Sequence, residues 1–193
     1  MNKAIEHQQV DLKNAPNGKE SNPRDSILYM DGVSVSFDGF KALSELSLVV
    51  ERGEMRAVIG PNGAGKTTMM DVISGRTKPD QGRVIFSGKT DLTRLDESTI
   101  AELGIGRKFQ KPTVFEKQTV YQNLALALKS DRKVFQKLFR HLTKTSKVHL
   151  QEILDVISLS DQRNLLAGGL SHGQKQWLEI GMLLAQDPQF LMV

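Results

Sequence analysis

The stretch Gly60-Pro61-Asn62-Gly63-Ala64-Gly65-Lys66-Thr67-Thr68 constrains this chain more than any other. It fits the pattern G-x-x-x-x-G-K-[ST], and each residue type in it has a physical task. Gly60, Gly63 and Gly65 let the backbone turn tightly and direct amide N–H groups at an anion. Lys66 carries a point charge on a flexible stem, suited to the β- and γ-phosphates of a nucleotide. The Thr67 hydroxyl can join the coordination shell of Mg²⁺. A helix starting here adds the positive end of its dipole. Such a loop works between a strand and a helix. Met55-Arg56-Ala57-Val58-Ile59 reads as a short buried strand entering it, and Thr67 to Ser74 as a helix leaving it, stopped by Gly75. A glycine-rich turn matching by chance would not need both flanks.

The rest of the chain alternates strand and helix patterns. Order is expected to begin near Ile27. Val33-Ser34-Val35-Ser36-Phe37 alternates apolar and polar residues, and Leu46 to Val50 follows as a second strand, with Asp38-Gly39 as a turn signal between them. Thr77 to Gly82 reads as a loop and Val84-Ile85-Phe86 as a short strand. Asp96 to Leu103 reads as a helix ended by Gly104. From Thr119 to Leu159 the apolar spacing becomes three and four, the mark of amphipathic helices. Ser171 to Gln186 is a further helix with Ser171 as N-cap, and Trp177, Ile180, Leu183 and Leu184 are expected to face inward. Phe190 to Val193 reads as a buried strand.

Composition excludes several classes. The 193 residues contain no cysteine, hence no disulfide and no Cys-ligated metal. No apolar run approaches the roughly 18–20 residues that span a bilayer. The polar N-terminus lacks the apolar core of a secretory signal. In residues 1–26, Lys3, Lys13, Lys19 and Arg24 balance Glu6, Asp11, Glu20 and Asp25, so this tail is not a basic nucleic-acid arm. It is rich in Asn, Gln, Gly and Pro and is expected to be disordered. The net charge of +4 is a mild bias. His7, His141 and His149 show no ligand spacing, and the methionines read as core filler.

A second motif narrows the first. Leu170-Ser171-His172-Gly173-Gln174 stands about a hundred residues downstream of the loop, at a helix start. It resembles the L-S-G-G-Q signature of ATP-binding cassette (ABC) proteins, with His172 where Gly is commonest. The resemblance covers residues 27–193 and implies an α/β fold: a P-loop NTPase of ABC type, with an antiparallel β subdomain and an inserted α-helical subdomain. It divides the cassette into 27–110 (β subdomain and P-loop core), 111–170 (helical subdomain) and 171–193 (signature helix and a further strand). In that family two cassettes dimerise head to tail. Ser171, His172, Gly173 and Gln174 would then face the γ-phosphate held by the partner's loop, at a helix N-terminus that attracts anions. Residues 60–68 would hold ATP, with Lys66 and Gln110 acting in catalysis and Thr67 and Gln110 on Mg²⁺. Phe37 sits where the family has an aromatic residue that stacks on adenine, with Phe40 the weaker candidate for that role and strand-end core the alternative reading for Phe37.

Arg107-Lys108-Phe109-Gln110-Lys111-Pro112-Thr113-Val114-Phe115 resembles the branched-chain amino-acid and urea importer branch. The stretch Leu170 to Met182 looks most like the ATP-binding subunit of urea importers, where His172 is at home. The resemblance implies a paralogous second cassette, two permease subunits and a solute-binding protein, at the cytoplasmic face of the plasma membrane. Residues 129–149 hold Lys129, Arg132, Lys133, Lys137, Arg140, Lys144 and Lys147 against Asp131. They read as a solvated basic face, or as a contact for anionic lipid headgroups. In the family an apolar strand leads to Asp-Glu, the metal-ordering acid and the general base. Asp187 to Val193 resembles that lead-in. The expectation is therefore a fragment of a longer ATPase, with an incomplete core sheet and a marginal fold, that binds nucleotide without useful turnover. Two other readings stay open: a non-hydrolysing nucleotide-binding module, and an ABC-type ATPase outside transport.

Overall fold

A computed structural model describes residues 26–108, 114–128 and 143–193. The chain opens with a hairpin. Strand β1 (Leu28–Phe37) and strand β2 (Phe40–Val50) pair antiparallel from Leu28 opposite Val50 to Phe37 opposite Phe40. Asp38 and Gly39 make the turn, both with positive φ. Both strands are longer than the sequence pattern suggests. The register shifts between Met30 and Val33, where Gly32 has φ 58°. That irregularity moves the inward face of β1 from Leu28 and Met30 to Val33 and Val35, so a one-residue slip in parity is absorbed without exposing the apolar set. Strand β3 (Gln81–Phe86) joins the other edge of β1 and strand β4 (Thr90–Asp91) follows, giving the order β2-β1-β3-β4.

Helix α1 (Lys66–Ile73) lays Met69, Val72 and Ile73 on this sheet. Helix α2 (Glu97–Glu102), capped by Asp96, adds Ile100. Strand β5 (Ile105–Arg107) then pairs parallel with strand β6 (Phe190–Met192) in a separate two-stranded sheet. Ile105 and Met192 close this first core.

A second core is helical. Helix α3 (Val120–Ala127), helix α4 (Lys144–Val156) and helix α5 (His172–Leu184) pack around Leu124, Leu150, Ile153, Leu154 and Leu178. Thr119, Thr143 and Ser171 cap the three N-termini with their hydroxyls. Gly181 lets α5 approach closely: a Cβ there would stand 2.7 Å from Ile157 Cδ1 and 3.0 Å from Leu124 Cδ2. Among the described residues no helix is long and apolar enough to cross a membrane, and no cluster of His, Cys, Asp or Glu could hold a metal ion.

Two expectations need correction. Met55–Ile59 is neither a strand nor buried: Met55 is 98% exposed and Ile59 93%. The run has the apolar composition of a strand but no ladder partner among the described residues, where β5 and β6 pair only with each other. Trp177 does not face inward either, being 53% exposed. The buried line of α5 runs through Leu178, Gly181 and Ala185, and Trp177 falls about 70° to one side of it. Ile180, Leu183 and Leu184 are half-buried. The tail residues 1–25 and most of the basic stretch, 129–142, lie outside the described residues, as do Phe109 and Gln110.

Candidate nucleotide site

The loop 60–65 reaches α1 through Gly65, the helix N-cap, in the left-handed region at φ 83° and ψ 2°. Gly65 has no side chain to cap the helix, so no hydroxyl or carboxylate competes for the amides of the first turn. The N–H groups of Lys66, Thr67 and Thr68 have no carbonyl behind them in the helix, and they point along the positive end of the dipole. Within the loop Ala64 N–H donates to Pro61 O at 3.2 Å, which closes a tight turn around Gly63 (φ 82°). Lys66 folds back over this turn. Its Nζ donates to Gly60 O at 2.6 Å and to Pro61 O at 2.7 Å. These carbonyls hold the ammonium at the mouth of the loop, where a phosphate oxygen would be a stronger acceptor. Thr67 is exposed and Thr68 half-buried. The Thr67 hydroxyl, beside amides that would hold phosphate oxygens, is a hard oxygen donor of the kind Mg²⁺ takes, so the residues present fit that ion.

The loop rests on β2. A Cβ at Gly65 would stand 2.5 Å from Ala42 O and 2.7 Å from Leu43 Cδ2, so α1 can approach the hairpin only with glycine here. This contact brings the hairpin tip beside the loop. Phe37 and Phe40 pair across that tip, Phe40 standing two residues from Ala42, and both rings are exposed. Asp80 fixes the end of β1: its Oδ2 accepts from Ser36 N–H at 2.7 Å and its own N–H donates to Ser34 O at 2.9 Å. The structure thus places Phe37 near the loop and in solvent, away from the core that was its alternative.

The signature residues begin the other core. Ser171 and Gln174 form a capping box. Ser171 Oγ accepts from Gln174 N–H at 3.3 Å, and Gln174 Oε1 accepts from Ser171 N–H at 2.9 Å. The Ser171 hydroxyl proton stays available to a further acceptor. Gly173 faces open space, with nothing within 4 Å of a Cβ built there. His172 contacts Gln176, Nε2 to Nε2, at 3.0 Å. Lys175 Nζ donates to Glu116 Oε1 at 2.7 Å, and that contact holds the Glu116 carboxyl below its ordinary range. The loop and the signature therefore sit at the N-termini of two helices that belong to different cores.

Sequence reasoning missed the polar pins around these helices. Arg107 donates to Asp71 Oδ1 at 2.6 Å and to Ser74 Oγ at 3.0 Å, tying β5 to α1. Lys108 pairs with buried Glu179 of α5 at 3.5 Å. Asn123, fully buried, accepts from Phe115 N–H at 2.7 Å and donates to the carbonyls of Phe115 and Thr119 at 3.1 and 2.9 Å. A polar residue on the apolar face of α3 was the signal for Asn123. No local pattern announces the pairs, which span 36 and 71 positions of sequence.

Comparison with known proteins agrees with this geometry. The family described as ABC transporter matches residues 43–193. A probable branched-chain amino acid transport ATP-binding protein LivG from Archaeoglobus fulgidus is 34% identical over 183 residues, covering 86% of this chain. The chain spans 66% of that protein's length, just under two thirds. The lipopolysaccharide export system ATP-binding protein LptB of Haemophilus influenzae is 31% identical and likewise covered over 66% of its length. Among solved structures, the ADP conformation of an ATP-binding cassette of an ABC transporter superposes with a TM-score of 0.71 at 33% identity, over 86% of this chain and 67% of that one. With an uncapped loop-to-helix turn on one core and a capped serine helix start on the other, this chain belongs to the ABC transporter ATP-binding family, with its P-loop NTPase fold.

Proposed function

We propose that this chain is the ATP-binding part of an importer's ATPase subunit, working at the cytoplasmic face of the membrane on urea or branched-chain amino acids. The observation that carries the nucleotide assignment is the first turn of α1, with its open amides and Lys66 parked on two carbonyls. The similarity to LivG supports the branched-chain and urea branch, and the L-S-H-G-Q sequence favours urea within it. Residues 60–68 hold the phosphates, and Phe37 stacks on the adenine. Ser171, His172, Gly173 and Gln174 act on the ATP of a second, paralogous cassette. Their position at an exposed helix start on the other core supports action in trans. Two permeases and, indirectly, a solute-binding protein complete the assembly.

The chemistry at each residue follows from this placement. Lys66 leaves Gly60 O and Pro61 O for the β- and γ-phosphates, and the amides of α1 fix the oxygens in place. Thr67 and Gln110 would hold Mg²⁺, which would supply positive charge against the phosphates. Ser171 Oγ donates its free proton to the partner's γ-phosphate. ATP binding draws two cassettes together, and hydrolysis lets them part. None of the residues assigned to the nucleotide here is a carboxylate that could serve as general base, so the 193-residue chain is expected to bind nucleotide without sustained turnover. Titration with a fluorescent ATP analogue tests the reading: saturable binding abolished by Lys66→Ala is expected, and binding indifferent to Lys66 would overturn it. Steady-state phosphate release that Lys66→Ala removes would overturn the absence of turnover.

A further inference from the structure

Arg107 and Lys108 are consecutive residues on extended backbone, and each holds a helix. Arg107 ends β5, and Lys108 N–H still donates to Met192 O at 2.8 Å, so both lie along the β6 ladder. The Arg107 guanidinium grips α1 at Asp71 and Ser74. The Lys108 ammonium reaches α5 at Glu179, whose side chain is 5% exposed, against 17% for Lys108. Asp71 lies about one and a half turns into α1 and Glu179 about two turns past Ser171. Both grips therefore stand a short lever arm behind a phosphate-facing helix end. The two helices belong to different hydrophobic clusters. Arg107 and Glu179 also line a cleft of about 260 Å³ with Ile100, Met182 and Leu183, which leaves α5 room to tilt against the first core.

We propose that Lys108 and Glu179 are positioning residues that make the angle of signature helix α5 follow the state of P-loop helix α1, through the Arg107–Asp71 grip. This rests on the nucleotide assignment above. The argument is mechanical. The peptide between Arg107 and Lys108 does not stretch, so a shift of α1 that draws on Arg107 is passed to Lys108. A desolvated ion pair loses much of its energy when pulled apart, whereas apolar side chains slide past one another at little cost. Glu179 must therefore follow Lys108 and turn α5 about that point. Neither residue belongs to the nucleotide site assigned above, so removing the tie uncouples the two ends and changes ATP affinity by no more than the lost coupling.

The one tryptophan of the chain, Trp177, stands exposed on α5 two residues from Glu179 and reports on that helix directly. The experiment is an ATP·Mg²⁺ titration of the 193-residue chain, with affinity read by equilibrium dialysis and α5 by acrylamide quenching of Trp177. The wild type is expected to bind ATP and to change its quenching. The double variant Lys108→Met, Glu179→Leu removes both charges of the pair together, so neither is left facing the other's empty place. It is expected still to bind ATP, with an affinity shifted by no more than the lost coupling, while the Trp177 response falls about fivefold or more. Lys108→Arg should retain the response, and the reversed pair Lys108→Glu, Glu179→Lys should recover it. A full response in the double variant overturns the proposal, as does ATP binding by the wild type with no Trp177 response. An absence of ATP binding in the wild type removes the nucleotide assignment and this inference with it. Should the double variant lack a cooperative melt, the reversed pair decides: response recovered supports the tie, and a folded protein without response overturns it.

Discussion

Gly65 is the residue on which the loop, α1 and β2 meet, and Gly65→Ala tests whether that meeting is what the structure says. Two costs add. At φ 83° an alanine pays the left-handed penalty of about 1–2 kcal/mol. Its Cβ would also stand 2.5 Å from Ala42 O and 2.7 Å from Leu43 Cδ2, where ordinary contacts lie at about 3.5–4 Å. One of those atoms belongs to the backbone of β2 and cannot rotate away, so α1 must retreat by about 1 Å; overpacking of this kind costs about 1–3 kcal/mol. The sum is about 2–5 kcal/mol. Retreat also carries the first-turn amides off their targets. Losing one charge-assisted hydrogen bond is worth about 1.5–3 kcal/mol, or roughly a ten- to hundredfold weaker Kd. Gly63→Ala is the control: its φ is 82°, but a Cβ there meets nothing within 4 Å. It should lose about 1–2 kcal/mol and no more. Urea unfolding and nucleotide titration of both variants are the assays. Equal losses in the two would refute the contact with β2, and wild-type behaviour of Gly65→Ala would refute the loop geometry itself.

Three further outcomes are expected. Gly173→Ala should stabilise the chain by up to about 1 kcal/mol in a melt, since the site is open and alanine is the better helix former, yet weaken ATP-dependent association of two cassettes in sedimentation; unchanged association would remove Gly173 from the interface. Asn123→Ala leaves Phe115 N–H without its partner, while Thr119 O keeps the Asn123 backbone N–H, and should cost about 1–3 kcal/mol in urea unfolding; a loss below about 1 kcal/mol would mean water replaces the amide. Glu116 has a lowered pKa through its bond to Lys175, so its contribution is present above the ordinary glutamate range and is lost as pH falls through the lower folded value. The melting difference between wild type and Glu116→Gln should therefore vanish on acidification, and a difference that grows at low pH would reverse the assignment.

What could be read from the sequence was what neighbouring residues decide. The loop-to-helix turn, the Asp38-Gly39 hairpin and the Ser171 cap each depend on a few adjacent positions, and all three stand in the structure. Pairing partners could not be read this way. Met55–Ile59 has the composition of a buried strand, but burial needs a neighbour that its own residues do not name. Trp177 was misplaced because its spacing to Ile180 and Leu184 is as regular as that of the line through Leu178, Gly181 and Ala185. Only the shape of α3 and α4 decides which line goes in, and Gly181 gives the answer by admitting Ile157 and Leu124. The Arg107 and Lys108 pairs were invisible because a lone basic residue reads as surface until its carboxylate is found.

The exposed approach to the loop has a consequence for how the chain behaves in company. Met55 to Ile59 is an apolar ribbon whose amides and carbonyls find no ladder among the described residues, with Arg56 its one charge. Such a ribbon recruits strands. Whatever lies down beside it stiffens the entry to Gly60, and so reduces the disorder that phosphate binding would otherwise have to remove. By reciprocity ATP should then tighten the hold on that strand as much as the strand tightens the hold on ATP. Until it is covered, the phosphate loop is anchored at its far end alone, at Gly65 where α1 meets β2.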